Sequence, residues 1–277
     1  MSCSSLFGSG IPAALSRWSI LIAVLLLTPV SGVLAQHADD EHETLDFSHP
    51  LVTESPTPDT KLRLDYVRTR VGDAVDLTEN AFRLEGEYAF NHSVSVALVT
   101  PFVSRTAPTS QRVSGLGNVE LSIKAASLAL GRHGFLFGGG LSTELPTGSD
   151  AKGIGSSHLV ELEPFFDVAY KQNALELVGF TTISSTFHRR AGENAERSLA
   201  FDFSTLYQLH PRLEGLLELT TSRVLAGADS GEETFVAPGV KVYPFSNRHI
   251  MFGASLELGT GNVDNTRVFL LSGFYHF

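Results

Sequence analysis

The densest cluster of metal-capable side chains lies in HADDEHE, where His37 and His42 stand among Asp39, Asp40, Glu41 and Glu43, with His49 further on. Imidazole and carboxylate together suit borderline divalent ions such as Zn2+ or Cu2+. The spacing matches no tight site, and a solvated charged tail accounts for the same residues. A second set of ionisable residues falls on one parity of alternating segments: Arg63, Arg83, Glu85, Glu87, Glu120, Lys124, Glu161, Glu163, Asp167, Lys241 and Glu257. Asp65, Glu144, Asp202, Glu214 and Glu218 share that parity, so acid outweighs base by a wide margin. A cavity walled by such residues repels anions and must pair some carboxylates across strands. The plainer reading is that the same network fills and stiffens a narrow interior.

Catalytic chemistry finds little support. A lipase needs a Ser and a His on the outer face near an interface, with an orienting polar group, and these strands show no such outward pair. His188 and Asp229 are the nearest candidates for carboxylate–histidine hydrolysis, and nothing in the sequence relates them. Gly138-Gly139-Gly140 lacks the following helix and Lys of a phosphate loop and reads as a bend in a strand. The chain therefore reads as a non-enzyme without a cofactor.

These residues must be positioned by strands, because from Lys61 onward the hydrophobicity alternates with period 2. In AFRLEGEYAF, Phe82, Leu84, Tyr88 and Phe90 alternate with Arg83, Glu85 and Glu87. Twelve strands are expected, near 61–69, 80–90, 93–103, 117–129, 134–145, 158–170, 174–187, 198–208, 212–223, 234–243, 249–258 and 266–277. Their connections alternate between short turns and long Gly/Ser/Asp-rich loops, the mark of an up-and-down transmembrane β-barrel. Tyr88, Phe90, Tyr170, Tyr207, Tyr275 and Phe277 all fall on the apolar parity near the short-turn end, as an interfacial girdle requires. Twelve strands exceed the side-chain-filled eight-stranded barrel, so the apolar face is expected toward lipid and the polar face toward the lumen. Arg68, Arg223 and Arg267 lie on the apolar parity at the long-loop end, where lipopolysaccharide phosphates would meet them.

The first 35 residues carry Arg17, an apolar core over Trp18–Val30 and Val33-Leu34-Ala35, which together read as a secretory signal cleaved after Ala35. Cleavage removes the only cysteine, Cys3, and the only tryptophan, Trp18. It also removes one positive charge from a chain of net charge −10, leaving −11. That acidity argues against nucleic acid as a partner. Residues 36–60 are acidic, contain Pro50, Pro56 and Pro58, and read as an extended periplasmic segment before a barrel at 61–277.

Three stretches carry a family likeness: HPLVTESPTPDTKLRLDY, GLGNVELSIKAA and ELPTGSDAKGIGSSHLVELEPFFDVAY. They resemble the outer-membrane transporter family named for the MetA-pathway of phenol degradation, along most of the chain from His49 to Phe277. The resemblance implies a channel-like barrel in a Gram-negative outer membrane, with some members linked to uptake of aromatic or hydrophobic compounds. It carries no catalytic residues. Similarity to outer-membrane barrels in general also implies that a terminal aromatic such as Phe277 serves as a signal to the barrel-assembly machinery. The expectation is a passive channel for small molecules, aromatic or hydrophobic ones among them. The alternatives are a structural or interaction barrel without a through-pore and, third, an outer-membrane enzyme.

Overall fold

Thirteen antiparallel strands close into one barrel in the computed structural model, which describes residues 47–72, 77–106, 112–127, 133–188, 190, 193, 195–227 and 231–277. The signal segment 1–35, His37, His42 and Asp229 lie outside the described residues. The strands are β1 (Lys61–Val71), β2 (Leu77–Asn91), β3 (Val94–Thr106), β4 (Val113–Leu116), β5 (Val119–Ser127), β6 (Phe135–Leu145) and β7 (Val160–Gln172). β8 (Leu175–Phe187), β9 (Arg197–His210), β10 (Leu213–Ala226), β11 (Glu232–Val242), β12 (Ile250–Thr260) and β13 (Thr266–His276) complete the wall. Apart from β4 and β5, sequence neighbours pair with each other, and β1 pairs with β13 from Lys61↔His276 to Val71↔Thr266. No strand edge is then left in hydrocarbon, where unpaired backbone groups cannot be hydrated.

β4 and β5 both pair with β3 and form one stave, so the barrel has twelve staves. The expected loop 104–116 is thus partly strand. The interruption at Gly117-Asn118 faces Pro101 of β3, which has no N–H to offer the ladder. There Gly117 N–H donates to the Pro101 carbonyl at 2.9 Å instead.

The two faces of the wall differ as the pleat requires. Leu64, Phe82 and Phe90 are 54%, 53% and 62% exposed, whereas Asp167, Glu218 and Lys241 are 0% exposed. An apolar band this continuous is stable only against lipid. The inner face is not uniformly polar, contrary to the simple alternation rule. Leu136, Val178, Leu206, Leu216, Met251 and Phe274 point inward near the short-turn end and pack as an apolar cluster with Phe47 and Leu51.

Phe47 and Leu51 belong to the segment read from sequence as a periplasmic lead-in. Residues 47–60 instead run inside the barrel. Phe47, His49, Leu51, Thr53, Ser55 and Thr57 are all buried. The reason is physical: the inner wall supplies an apolar patch for the two hydrophobic side chains and charged groups for the irregular backbone.

Glycines make room for what lies inside. A Cβ on Gly253 would sit 2.3 Å from Leu51 Cδ2, and one on Gly138 would sit 2.5 Å from the Asp167 carboxylate. On Gly140 it would meet the Ile123 carbonyl at 2.1 Å and the Phe165 ring at 2.4 Å. The Gly138–Gly140 run therefore lets Phe165 and Asp167 lie flat against the wall. Gly140→Val is expected to reduce sharply the folded fraction, read as the heat-modifiable band on a gel, because backbone rather than a flexible side chain occupies the space.

Candidate functional site

Polar groups of the strands converge on the inner face, and its short-turn half is occupied by residues 47–60. Glu218 of β10 accepts the N–H groups of Leu51 (3.3 Å), Val52 (3.1 Å) and Thr53 (2.9 Å), and the Ser204 hydroxyl at 3.0 Å. One carboxylate thus satisfies three consecutive donors that no strand or helix pairs. On the neighbouring strand, Lys241 donates to Ser48 Oγ (2.5 Å) and to the His49 carbonyl (2.6 Å), and pairs with Glu214 at 2.9 Å. Ser48 N–H donates to Glu176 at 2.7 Å, and Tyr243 donates to Glu214 at 2.9 Å. Arg63 donates to the Leu51 carbonyl, binds Asp65 at 2.9 Å and lies 4.8 Å over the Phe274 ring.

The β1–β2 register builds the second group of contacts. It sets Lys61 opposite Glu87, Arg63 opposite Glu85 and Asp65 opposite Arg83, so opposite charges face each other across the ladder. Lys61 binds Glu87 at 2.7 Å and Glu85 at 3.1 Å. Lys124 of β5 reaches Glu54 of the internal segment at 2.9 Å and Glu87 at 3.5 Å. Buried charges of this kind tolerate burial only because each has a partner, and removing one strands the other.

The half toward the long loops is different. Glu120 is directly opposite Glu144, and Glu144 directly opposite Glu161, in adjacent ladders. Glu163 and Glu257 share the inward parity, and all five are partly exposed. Among the described residues none of them is ion-paired. Ser142 donates to Glu120, and Asn118 donates to Glu144 at 3.1 Å. Like charges set opposite each other in this vestibule repel, an arrangement that a cation between them would relieve. Arg83, exposed on the inner face, is the inward cation nearest to it along β2. Below the vestibule, Phe165 and Phe180 stack at 5.0 Å beside Asp167, whose two carboxylate oxygens are buried without a hydrogen-bond partner.

On the outer face, Tyr88 and Phe277 are 57% and 69% exposed, and Phe90, Tyr207 and Tyr275 are exposed as well. Tyr170 is half-buried because its ring lies 4.6 Å from that of Phe135. Tyr88–Phe90 and Tyr275–Phe277 pack edge to face at 5.3 and 4.9 Å. Of the three histidines read as metal candidates, only His49 is among the described residues, and it lies inside the barrel rather than in a solvated tail. Sequence reasoning missed Lys61, Glu54 and Tyr243. Lys61 shares the parity of Arg63 and Asp65 and was open to discovery. Glu54 and Tyr243 carry no periodic signal, because their place depends on the segment folding inward.

At the long-loop end His158 bridges two connections. Its Nδ1 meets Asp150 at 3.0 Å and its Nε2 meets Glu193 at 3.0 Å. The hydrogen bond to Glu193, then that to Asp150, raises the imidazole pKa above its ordinary value. Asp150 is held below the usual carboxylate range, first by the Ser157 hydroxyl and then by His158.

No protein-family model matches this chain, and no curated protein matches it. Solved structures share its fold. An outer membrane channel from Pseudomonas putida F1 superposes with TM-score 0.65 at 13% identity, covering 87% of this chain and 100% of that one. The NanC porin gives TM-score 0.54 at 10% identity over 77% of this chain and 100% of its own. The β-domain of the Bordetella autotransporter BrkA gives 0.51 at 12% identity over 79% and 99%. The fold is that of a transmembrane outer-membrane barrel, and it serves both channels and autotransporters, so function must be argued from the interior.

Two outcomes follow from this geometry. Glu218→Ala is expected to expose the Leu51–Thr53 amides, with their hydrogen-exchange protection falling by roughly 10- to 100-fold, since a charged acceptor contributes about 1.5–3 kcal/mol. For His158, the folded pKa is raised, so the loop contact is present below the ordinary imidazole pKa and is lost as pH rises through the raised value. An NMR titration should place its midpoint above 6.5.

Proposed function

We propose that this chain is a passive channel of a Gram-negative outer membrane for small neutral or cationic molecules, aromatic or hydrophobic ones among them. The observation that carries the proposal is the division of the lumen. A carboxylate-lined vestibule opens toward the long loops, and the half below it is filled by a segment held through hydrogen bonds and ion pairs rather than by strand pairing. Such contacts are exchangeable for water and solute, whereas a covalent or sheet-paired filling is not. Phe165, partly exposed and stacked on the buried Phe180, offers an apolar surface beside the acidic wall, which suits an aromatic solute. The resemblance to the MetA-pathway family supports the same solute class, and rests on the quoted stretches alone. In the same reading Arg68, Arg223 and Arg267, all exposed on the outer face, meet lipopolysaccharide phosphates, and the barrel-assembly machinery recognises the C-terminal strand.

One observation favours the second reading, a structural barrel without a through-pore: the short-turn half is packed with buried side chains. Planar-bilayer recordings separate the two. The native chain should show small conductance, and Gly253→Leu should enlarge it by evicting Leu51. Cation preference should weaken in Glu161→Gln/Glu163→Gln. Silence from both the native chain and the Gly253→Leu variant would establish the closed barrel instead.

A further inference from the structure

Three side chains from separate parts of the chain meet where the internal segment passes the end of the last strand. His49 comes from the segment, Asp59 from the connection into β1, and His276 from the end of β13. One donor atom from each residue lies within 4.8 Å of the other two. Asp59 Oδ2 is 3.0 Å from His49 Nε2 and 2.5 Å from His276 Nδ1. We propose that these residues form a binding site for one borderline divalent cation of the Zn2+ class, which would staple the internal segment to the closing seam of the barrel.

Two imidazoles and one carboxylate are a donor set that such ions take, with water completing the coordination. Both imidazoles are held by contacts that leave these nitrogens aimed at Asp59. The His49 carbonyl is fixed by Lys241 at 2.6 Å, and its ring lies 4.9 Å from that of His276. The backbone of His276 is bonded on both sides to His249, through N–H to the His249 carbonyl at 2.8 Å and through its own carbonyl to His249 Nδ1 at 2.9 Å. Asp59 is the movable ligand, with a side chain 31% exposed. An ion with bonds of about 2.1 Å holds tetrahedral ligands roughly 3.4 Å apart, so Asp59 must draw back by under about 1 Å. Water can reach the site through the exposed side of Asp59 and His276.

Charge points the same way. The connected network at this end contains the carboxylates of Glu54, Asp59, Asp65, Glu85 and Glu87 against the cations Lys61, Arg63 and Lys124, a formal excess of two negative charges. With Arg83, which faces Asp65 across the ladder, the excess is one, so negative charge remains at this end for a cation to offset. The opposing feature is Lys61, whose Nζ is 3.4 Å from His49 Nδ1. An ion on Nε2 leaves the proton on Nδ1, so the ammonium must turn its N–H bonds to Glu54, Glu85 and Glu87, which already surround it at 3.9, 3.1 and 2.7 Å.

The test is calorimetric titration of the full chain in detergent with ZnCl2, with Co2+ absorption as a reporter of nitrogen ligation. The expected result is one ion per barrel at micromolar metal. Binding should weaken by about tenfold or more in His276→Ala and in Asp59→Asn. It should persist in the His37→Ala/His42→Ala variant, which removes the other histidines of the N-terminal region. Heat-modifiable migration checks that each variant is folded, and Asp59→Asn keeps the shape of the site should His276→Ala fail to fold. Absence of binding at micromolar metal, binding unchanged in Asp59→Asn, or binding lost in the His37/His42 variant would each overturn the proposal.

Discussion

Everything in this structure depends on one constraint: a sheet in hydrocarbon cannot have an edge. The β1–β13 ladder meets it by pairing eleven residues on each strand. Closure then forces a choice of faces, since alternate side chains must point either to lipid or to a confined interior. Leu, Phe and Tyr take the outside, where burial in lipid costs them nothing. The charged residues are left to face each other across a narrow space, and their arrangement follows from having to satisfy one another.

That necessity explains the internal segment. Twelve staves enclose more room than wall side chains alone fill. In the short-turn half, an unfilled interior would leave Glu218, Lys241, Arg63 and Lys124 short of partners. Residues 47–60 supply them: backbone N–H groups for Glu218, carbonyls for Arg63 and Lys241, and the Glu54 carboxylate for Lys124. In return the wall gives Phe47 and Leu51 an apolar bed, with Gly253 flat enough to admit the Leu51 side chain. Among the described residues the long-loop half has no such insert, and Glu120, Glu144, Glu161, Glu163 and Glu257 on its inner face have no ion-pair partner. Among the described residues the interior therefore has a filled half and a half lined by carboxylates without ion-pair partners, and the internal segment together with the apolar inner patch makes the difference.

Much of the wall was legible in the amino-acid order. Period-2 alternation, the even number of staves and the long–short rhythm of connections are local properties, and each survives folding because the pleat reads them directly. The break between β4 and β5 was harder to see, since it depends on Pro101 lying opposite Gly117 in another strand. The apolar inner patch was harder still. Leu136, Val178 and Met251 sit on the polar parity of their strands, and alternation alone assigns that parity to water.

What the sequence by itself determined is the barrel: its stave count, its lipid-facing aromatics at Tyr88, Phe90, Tyr207 and Tyr275, and the acidic character of its inner face. Those follow from the identity and spacing of neighbouring residues. Only the tertiary structure decided what occupies the lumen and which charges meet. Residues 47–60 carry no helical or strand periodicity, and their partners stand as far as 217 positions away in the chain, as His276 does from Asp59. No local pattern encodes contacts of that range. They exist because closing the barrel brings distant carboxylates and cations into one dry space, where each must find a partner.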